Sequence, residues 1–333
     1  MTLPLAVTMG EPAGIGGEIA LKAWLDRSND VPPFYLIDDP DRLAVLARRL
    51  GWPAPIRSIE APYQALALFG EALPVAPIGM PIRAGPGRPD PGDAPAVLGS
   101  IETAVRDVRG GRAAALVTNP IHKGSLYRAG FRHPGHTEFL AELAGSAQPT
   151  VMMLVCPSLR VVPVTIHMAL RRAIESLSAA AIVHAGRVCD AALRRDFGIR
   201  APVLAVAGLN PHAGEAGGLG GEEIEIIEPA LVELRAAGIE ACGPLPPDTM
   251  FHADARRSYD AALCMYHDQA LIPIKTIDFH GGVNVTLGLP FVRTSPDHGT
   301  AFAIAGRGTA RPDSLIAALR LAAQMANRRL ATD

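Results

Sequence analysis

Short, nearly unbroken apolar runs alternate with amphipathic stretches along this chain. "LPLAVTMG" reads as a short buried strand, and "GEIALKAWLDR" after it as a helix with Ile19, Ala20, Ala23 and Trp24 on one face. "PPFYLIDDP" predicts a second strand and "DRLAVLARRLG" a second helix, closed by Gly51. Strand–helix–strand–helix is the signature of a parallel α/β sheet. "YQALALFGEALPVAPIG" fits either period, and residues 81–95 read as a Pro/Gly-rich loop. A helix over 96–109 then leads into the strand "GRAAALVTNP". "TEFLAELAG" is helical, "PTVMMLVCP" and "LRVVPVTIH" read as adjacent strands, and a helix runs on to about residue 195. The strand "PVLAVAGLNPH", the helix "EEIEIIEPALVELRAAG", the strand "YDAALCMYH" and the helix "SLIAALRLAAQMANRRL" complete the pattern. The fold class is α/β. Its length allows two lobes, but the pattern alone fixes no boundary.

Three of these strands end in histidine: His167, His212 and His267. Ligands of α/β sheets collect beyond the carboxyl ends of the strands. Three imidazoles can therefore converge there, although 45 and 55 residues separate them in sequence (167 to 212, 212 to 267). Neutral imidazole suits Zn²⁺ or Co²⁺, and three protein ligands leave positions open for substrate. The competing reading is three ordinary loop histidines, since no HExxH or CxxC brings ligands together locally.

Composition narrows the field. The 333 residues are 49% hydrophobic and 19% charged, with 31 Lys+Arg against 33 Asp+Glu and a net charge of −2. Near neutrality argues against a nucleic-acid footprint, and 5% aromatics argue against a base-stacking platform. No apolar run is long enough for a membrane span, and the first residues lack a basic leader, so a cytoplasmic protein is expected. Cys156, Cys189, Cys242 and Cys264 form no CxxC pair and read as reduced, mostly buried thiols.

Several other residues could hold an anion. His136 and Thr137 open the helix in "HPGHTEFLAEL", with Thr137 placed to cap it. Lys275, Asn284 and Arg293, spaced nine apart, could bind phosphate or carboxylate from one connected segment. His298 sits in a glycine-bearing loop that would let backbone approach a cofactor. "MGEPAGIGGE" could be a phosphate turn, but it is neither GxGxxG nor GxxxxGK[ST]. "NPHAGEAGGLGGEE" reads as a flexible loop, either a lid or a plain linker.

Taken in order, "GHTEFLAEL", "LNPHAGEAGGLGGEE", "DTMF", "YHDQALIPIK" and "GGVNVTLGLPFVRTSPDHGTAFAIAGRG" closely resemble the 4-hydroxythreonine-4-phosphate dehydrogenase family of vitamin B6 biosynthesis. The resemblance runs from about Val7 to the last helix. It implies a two-domain fold like that of isocitrate and isopropylmalate dehydrogenases, with the active site in an interdomain cleft at a homodimer interface. The first domain would comprise 1–125 plus 280–333, and the second 126–279. By the same resemblance His167, His212 and His267 match the divalent-metal ligands (Zn, Co or Mg), one of them supplied by the partner subunit. His136, Thr137, Lys275, Asn284 and Arg293 match the substrate-binding positions. His298, Gly299 and Thr300 match the loop that binds NAD or NADP, which this superfamily holds without a Rossmann fingerprint. Glu11, Gly17 and Ala303 stand where family members usually carry Asp, Pro and often an acidic residue.

The implied reaction is oxidative decarboxylation of 4-phosphohydroxy-L-threonine to 3-amino-2-oxopropyl phosphate and CO₂. The hydroxyl loses its proton, hydride passes to NAD⁺, and the resulting 3-keto acid loses CO₂. Asp248 and Asp268 are the candidates for orienting a ligand or moving the proton. Two alternatives stand beside this one. The nearer is a sister dehydrogenase of 4-phospho-D-threonate or 4-phospho-D-erythronate. The farther is a non-enzymatic metal- or phosphate-binding protein on the same scaffold.

Overall fold

The computed structural model describes residues 3–133, 135–146 and 148–332. Its strands are β1 (Leu5–Thr8), β2 (Phe34–Asp38), β3 (Ile56–Ser58), β4 (Leu73–Pro77), β5 (Leu116–Val117), β6 (Val151–Cys156), β7 (Leu159–Pro163), β8 (Val203–Ala207), β9 (Glu240–Leu245), β10 (Ala261–Cys264), β11 (Val283–Leu287) and β12 (Arg293–Pro296). The α/β class expected from the alternating periods holds. The ambiguous stretch after Tyr63 resolves into a short helix, Gln64–Leu68, and then β4.

The chain divides into two compact units, Met1–Pro149 with Leu289–Asn327, and Thr150–Gly288 with Arg328–Asp333. In the first unit the strands pair in the order β3-β4-β2-β1-β5-β12, all parallel. β1 and β2 are buried along their whole length, as expected of strands covered by helices on both faces. The chain leaves β1 toward β2 and returns to its other side at β5, which puts a switch point at the carboxyl ends of β1 and β5.

In the second unit the order is β11-β6-β7-β10-β8-β9. β11, β6 and β7 are antiparallel neighbours, whereas β7, β10, β8 and β9 run parallel. The three strands that precede the predicted ligand histidines are thus β7, β10 and β8, adjacent and pointing the same way.

Packing assigns the border segments. Phe139, Leu140 and Ala144 join Ile101 and Val105 in the core of the first unit, so residues 136–144 pack there and not with 150–279. β11 hydrogen-bonds to β6, which places residues 283–287 in the second unit. All four cysteines are free, and Cys156, Cys189 and Cys264 are buried. Among the described residues no helix is long and apolar enough to cross a membrane.

The end of the last helix is held to the second unit by one buried carboxylate. Asp196, 1% exposed at its side chain, accepts from Arg195 Nε at 2.8 Å and from Arg329 Nε at 2.6 Å. Burial alone would raise its pKa, but the hydrogen bonds and charges of Arg195 and Arg329 outweigh burial and hold it below the usual carboxylate range. A carboxylate depressed on folding adds stability above its unfolded pKa of about 3.9, and that stability is lost as pH falls through the folded value. Urea unfolding of Asp196→Asn at pH 7 should show a loss of about 3 kcal/mol, because the Arg329 guanidinium keeps its burial and loses its counter-charge. The deficit relative to the unsubstituted protein should shrink as pH is lowered toward 3, and a pH-independent deficit would refute this account.

Candidate active site

The predicted histidines do not terminate their strands. They sit on the loops that leave them: His167 four residues past β7, His212 five past β8, and His267 three past β10 as the first residue of the helix His267–Ile277. Main-chain pairing continues beyond the regular ladder, with Val164 N donating to Cys264 O at 2.8 Å and Thr165 N to Met265 O at 3.3 Å, and the Thr165 hydroxyl donates to the same Met265 O at 2.7 Å. His167 and His267 each come two residues after this last pair, which is why they meet. Their ring centroids lie 5.7 Å apart at an interplanar angle of 44°. His167 carries a positive φ of 24°, a backbone strain that belongs to functional turns more often than to framework. Both rings line a cavity of about 430 Å³ with Thr165, Met168, Tyr266 and Asp268.

The two residues after His267 have distinct jobs. Asp268 Oδ1 lies 2.7 Å from His267 Nδ1. An ionised carboxylate can only accept, so Nδ1 carries the proton and Nε2 keeps the lone pair a metal needs. Gln269 is buried; its Oε1 accepts from Met265 N at 2.6 Å and its Nε2 donates to Gly208 O at 2.7 Å. That amide ties the exit of β10 to the exit of β8, where the turn bearing His212 begins.

This turn is unusual. His212, Ala213, Gly214, Glu215 and Ala216 all have left-handed φ and ψ. For the four that are not glycine this costs on the order of 1–2 kcal/mol each. Glu223 offsets the strain. Its buried carboxylate accepts from Leu209 N and Asn210 N, both at 2.7 Å, and from Asn210 Nδ2 at 2.9 Å. Gly214 could not be replaced, since a Cβ there would lie 2.6 Å from Glu223 Oε2. The stretch whose composition suggests a flexible loop is instead a tied turn. A buried Glu opening the next helix is its only sequence signal.

Two imidazoles sharing one divalent ion have centroids roughly 5–6 Å apart, so His167 and His267 fit such an ion. His212 shares their strand edge, but among the described residues no group of three or more His, Cys, Asp or Glu is gathered to hold a metal.

The anion candidates fall in both units. In the first, the helix His136–Ala144 is capped by Gly135 and not by Thr137, which lies within the first turn and makes no side-chain cap. His136 Nε2 is buried without a hydrogen-bond partner. Burial drives its pKa well below the usual imidazole value, and the charges of Arg293 and Lys123 push the same way, so the ring is neutral near pH 7. Arg293 opens β12 beside β5, is 4% exposed, and donates from Nη2 to Thr118 Oγ1 at 2.6 Å. Burial lowers its pKa to about 10, which leaves it charged. In the second unit Lys275 lies in the last turn of the helix His267–Ile277, with Nζ 5.3 Å from the Phe279 ring centroid. Asn284 lies on β11, its Oδ1 buried and unpartnered. The three residues spaced nine apart are thus on a helix and two strands, not on one connected segment.

His298 Nδ1 is 3.0 Å from Gly299 O. Thr300 O accepts from Ile15 N at 3.1 Å, and Gly14 packs so closely that a Cβ would come within 2.9 Å of the same oxygen. The glycine turn after β1 therefore seats the loop 298–304. Glu18, 1% exposed, and Lys22 fasten residues 306–310: Glu18 accepts from Gly306 N and Ala310 N at 2.9 and 3.1 Å, and Lys22 donates to Gly308 O and Ala310 O at 2.8 and 2.6 Å. Neither residue stands out in the sequence, where they look like the polar face of a helix. Asp248 is exposed in the short helix Pro247–Met250.

Residues 31–322 match the family model described as "Pyridoxal phosphate biosynthetic protein PdxA". The chain is 58% identical to 4-hydroxythreonine-4-phosphate dehydrogenase of Bradyrhizobium diazoefficiens, over 97% of each chain. It is 54% identical to the enzyme of that name from Caulobacter vibrioides, over 98% of each. The crystal structure of 4-hydroxythreonine-4-phosphate dehydrogenase from Klebsiella pneumoniae superposes with a TM-score of 0.87 at 38% identity, covering 98% of this chain and 100% of that one.

If Glu223 holds the left-handed turn, Glu223→Ala should speed amide hydrogen exchange at Leu209 and Asn210 at least tenfold and lower stability by about 2–3 kcal/mol. Exchange unchanged at those two amides would show that the turn stands without the carboxylate.

Proposed function

The chain belongs to the PdxA family of pyridoxal phosphate biosynthetic proteins, and from that premise we propose that it is a 4-hydroxythreonine-4-phosphate dehydrogenase. It would oxidise and decarboxylate 4-phosphohydroxy-L-threonine to 3-amino-2-oxopropyl phosphate with NAD or NADP and a divalent cation. The observation that carries this reading is the 58% identity over 97% of both chains with an enzyme of that name. The histidine pair beside the cavity supplies a place for its chemistry.

In this reading His167, His212 and His267 hold the cation. When bound, the cation supplies Lewis acidity toward a hydroxyl and toward negative charge developing on oxygen, while the nicotinamide accepts hydride. The chain's own residues do the rest. Asp268 keeps the His267 proton on Nδ1 and so presents Nε2 as the donor. Arg293, His136 and Thr137 hold one anionic group of the substrate, and Lys275 and Asn284 another polar group. Fixing both ends orients the reacting carbon between them. The seat that Gly14, Glu18 and Lys22 make for residues 298–310 favours the nicotinamide dinucleotide at His298, Gly299 and Thr300. Asp248 and Asp268 remain the two proton-transfer candidates, and Asp268, already against His267, is the better placed to orient a ligand.

We further propose that a second copy of the chain completes the site. Met168 and Leu170 line the cavity with His167 and His267, Ile272, Ile277 and Phe279 lie further along the segment that begins at His267, and all five are 38–68% exposed. So much exposed apolar surface beside a site favours a covering partner. A cytoplasmic setting agrees with the free cysteines and with a biosynthetic reaction that needs a nicotinamide cofactor.

Metal-depleted protein should form NADH or NADPH from 4-phosphohydroxy-L-threonine only after Zn²⁺, Co²⁺ or Mg²⁺ is restored, and His267→Ala should abolish this. Turnover with 4-phospho-D-threonate or 4-phospho-D-erythronate alone would replace the substrate assignment with a sister acid. Asp268→Asn should weaken metal binding about 10–100-fold in a chelator competition, and unchanged affinity would remove Asp268 from the orienting role. Ile272→Asp should convert a dimer to a monomer in analytical ultracentrifugation, and a native monomer would remove the shared site.

A further inference from the structure

The exit of β5 supplies a cation that no motif singled out. Residues Thr118–His122 lead from β5 into the helix Lys123–Arg128. Thr118 at the start of this loop holds Arg293, and Lys123 at its end reaches the helix that begins at His136. Lys123 Nζ and Cε lie 3.3 and 3.4 Å from where a Cβ on Gly135 would stand. Gly135 is therefore bare against the ammonium, directly before His136. Lys123 is exposed, and it makes no ion pair among the described residues. Of the neighbouring acids, Glu142 faces His133 at 3.6 Å, and Glu138 Oε2 lies 3.3 Å from the same Gly135 position without reaching ion-pair distance of Lys123.

We propose that Lys123 is a further substrate-binding residue, which takes the phosphate monoester together with Arg293 and His136 at the amino end of the helix His136–Ala144. The inference rests on the dehydrogenase reading above and assigns the phosphate end of its substrate to this half-site. Lys123 stands at a helix terminus whose first-turn N–H groups have no side-chain cap, beside a buried imidazole nitrogen without a partner on which the charge of Arg293 also acts. Burial, with the charges of Arg293 and Lys123 acting the same way, keeps the His136 ring neutral, and the tautomer with its proton on Nε2 donates there. A dianion bonded by a buried guanidinium, a mobile ammonium and an imidazole N–H matches phosphate better than carboxylate, because Lys offers a point charge for the third oxygen.

The test uses Lys123→Met and Lys123→Arg in the full chain. Inorganic phosphate binding is measured by calorimetry on metal-free protein, and kcat and KM are measured with 4-phosphohydroxy-L-threonine and with its unphosphorylated form. Lys123→Met should weaken phosphate binding about tenfold and raise KM for the phosphorylated acid by a similar factor, with kcat within about twofold. Lys123→Arg should recover most of both, and the Met variant should show no added penalty on the unphosphorylated acid. Unchanged phosphate affinity and KM in Lys123→Met would overturn the inference while leaving the dehydrogenase reading intact. An equal penalty on both acids would mean that Lys123 reads the carboxylate, which also overturns it. Weakened phosphate binding in a protein that never turns over the substrate would sustain the anion site and sink the dehydrogenase reading.

Discussion

One buried amide organises the histidine half of this molecule. Gln269 accepts from Met265 N and donates to Gly208 O, so the exits of β10 and β8 cannot move independently. Both groups are main chain and buried, and losing either bond would strand a polar atom away from water. The chain answers in kind on both sides. Thr165 continues the β7–β10 pairing, which sets His167 against His267, and Glu223 fixes the start of the His212 turn. Without the Gln269 clamp, the exits of β10 and β8 would lose their shared anchor.

The same economy of main-chain anchoring recurs in the first unit. Glu18 and Lys22, one turn apart on the helix after β1, hold residues 306–310 through backbone atoms only. Thr300 is seated on the Gly14 turn by another backbone bond. A loop held this way keeps its side chains available for a ligand, and its sequence can vary as long as its path does not. Nothing in the anchoring of the loop depends on the side chain of Ala303.

Charge is distributed unevenly between the two halves of the candidate site. His136 is kept neutral by burial and by the cations Arg293 and Lys123, whereas His267 has a carboxylate on its Nδ1. The first arrangement surrounds a neutral ring with the positive charges of Arg293 and Lys123, a setting that attracts an anion. The second places the proton on Nδ1 and leaves the Nε2 lone pair free to face the cavity. Two histidines of the same chain thus differ in protonation and tautomer through their neighbours, not through their own chemistry.

Much of this was legible in the sequence. The alternating periods gave the α/β class, and the quoted motifs gave the family, because buried parallel strands and glycine-bearing turns constrain residue type strongly and locally. The positions of His167, His212 and His267 after three strands could be read as well, since the carboxyl edge of such a sheet is where ligands gather. The tertiary structure decided the rest. It moved the histidines from strand ends onto exit loops, because pairing beyond β7 and β10 is carried by Thr165 and Met265 and not by the apolar run. It showed that Gly135, not Thr137, caps the helix at His136. It gave Glu223, Gln269 and Glu18 their work. Each of those three acts on loop backbone away from its own helix, and a side chain bonding to such backbone leaves no periodic trace in sequence.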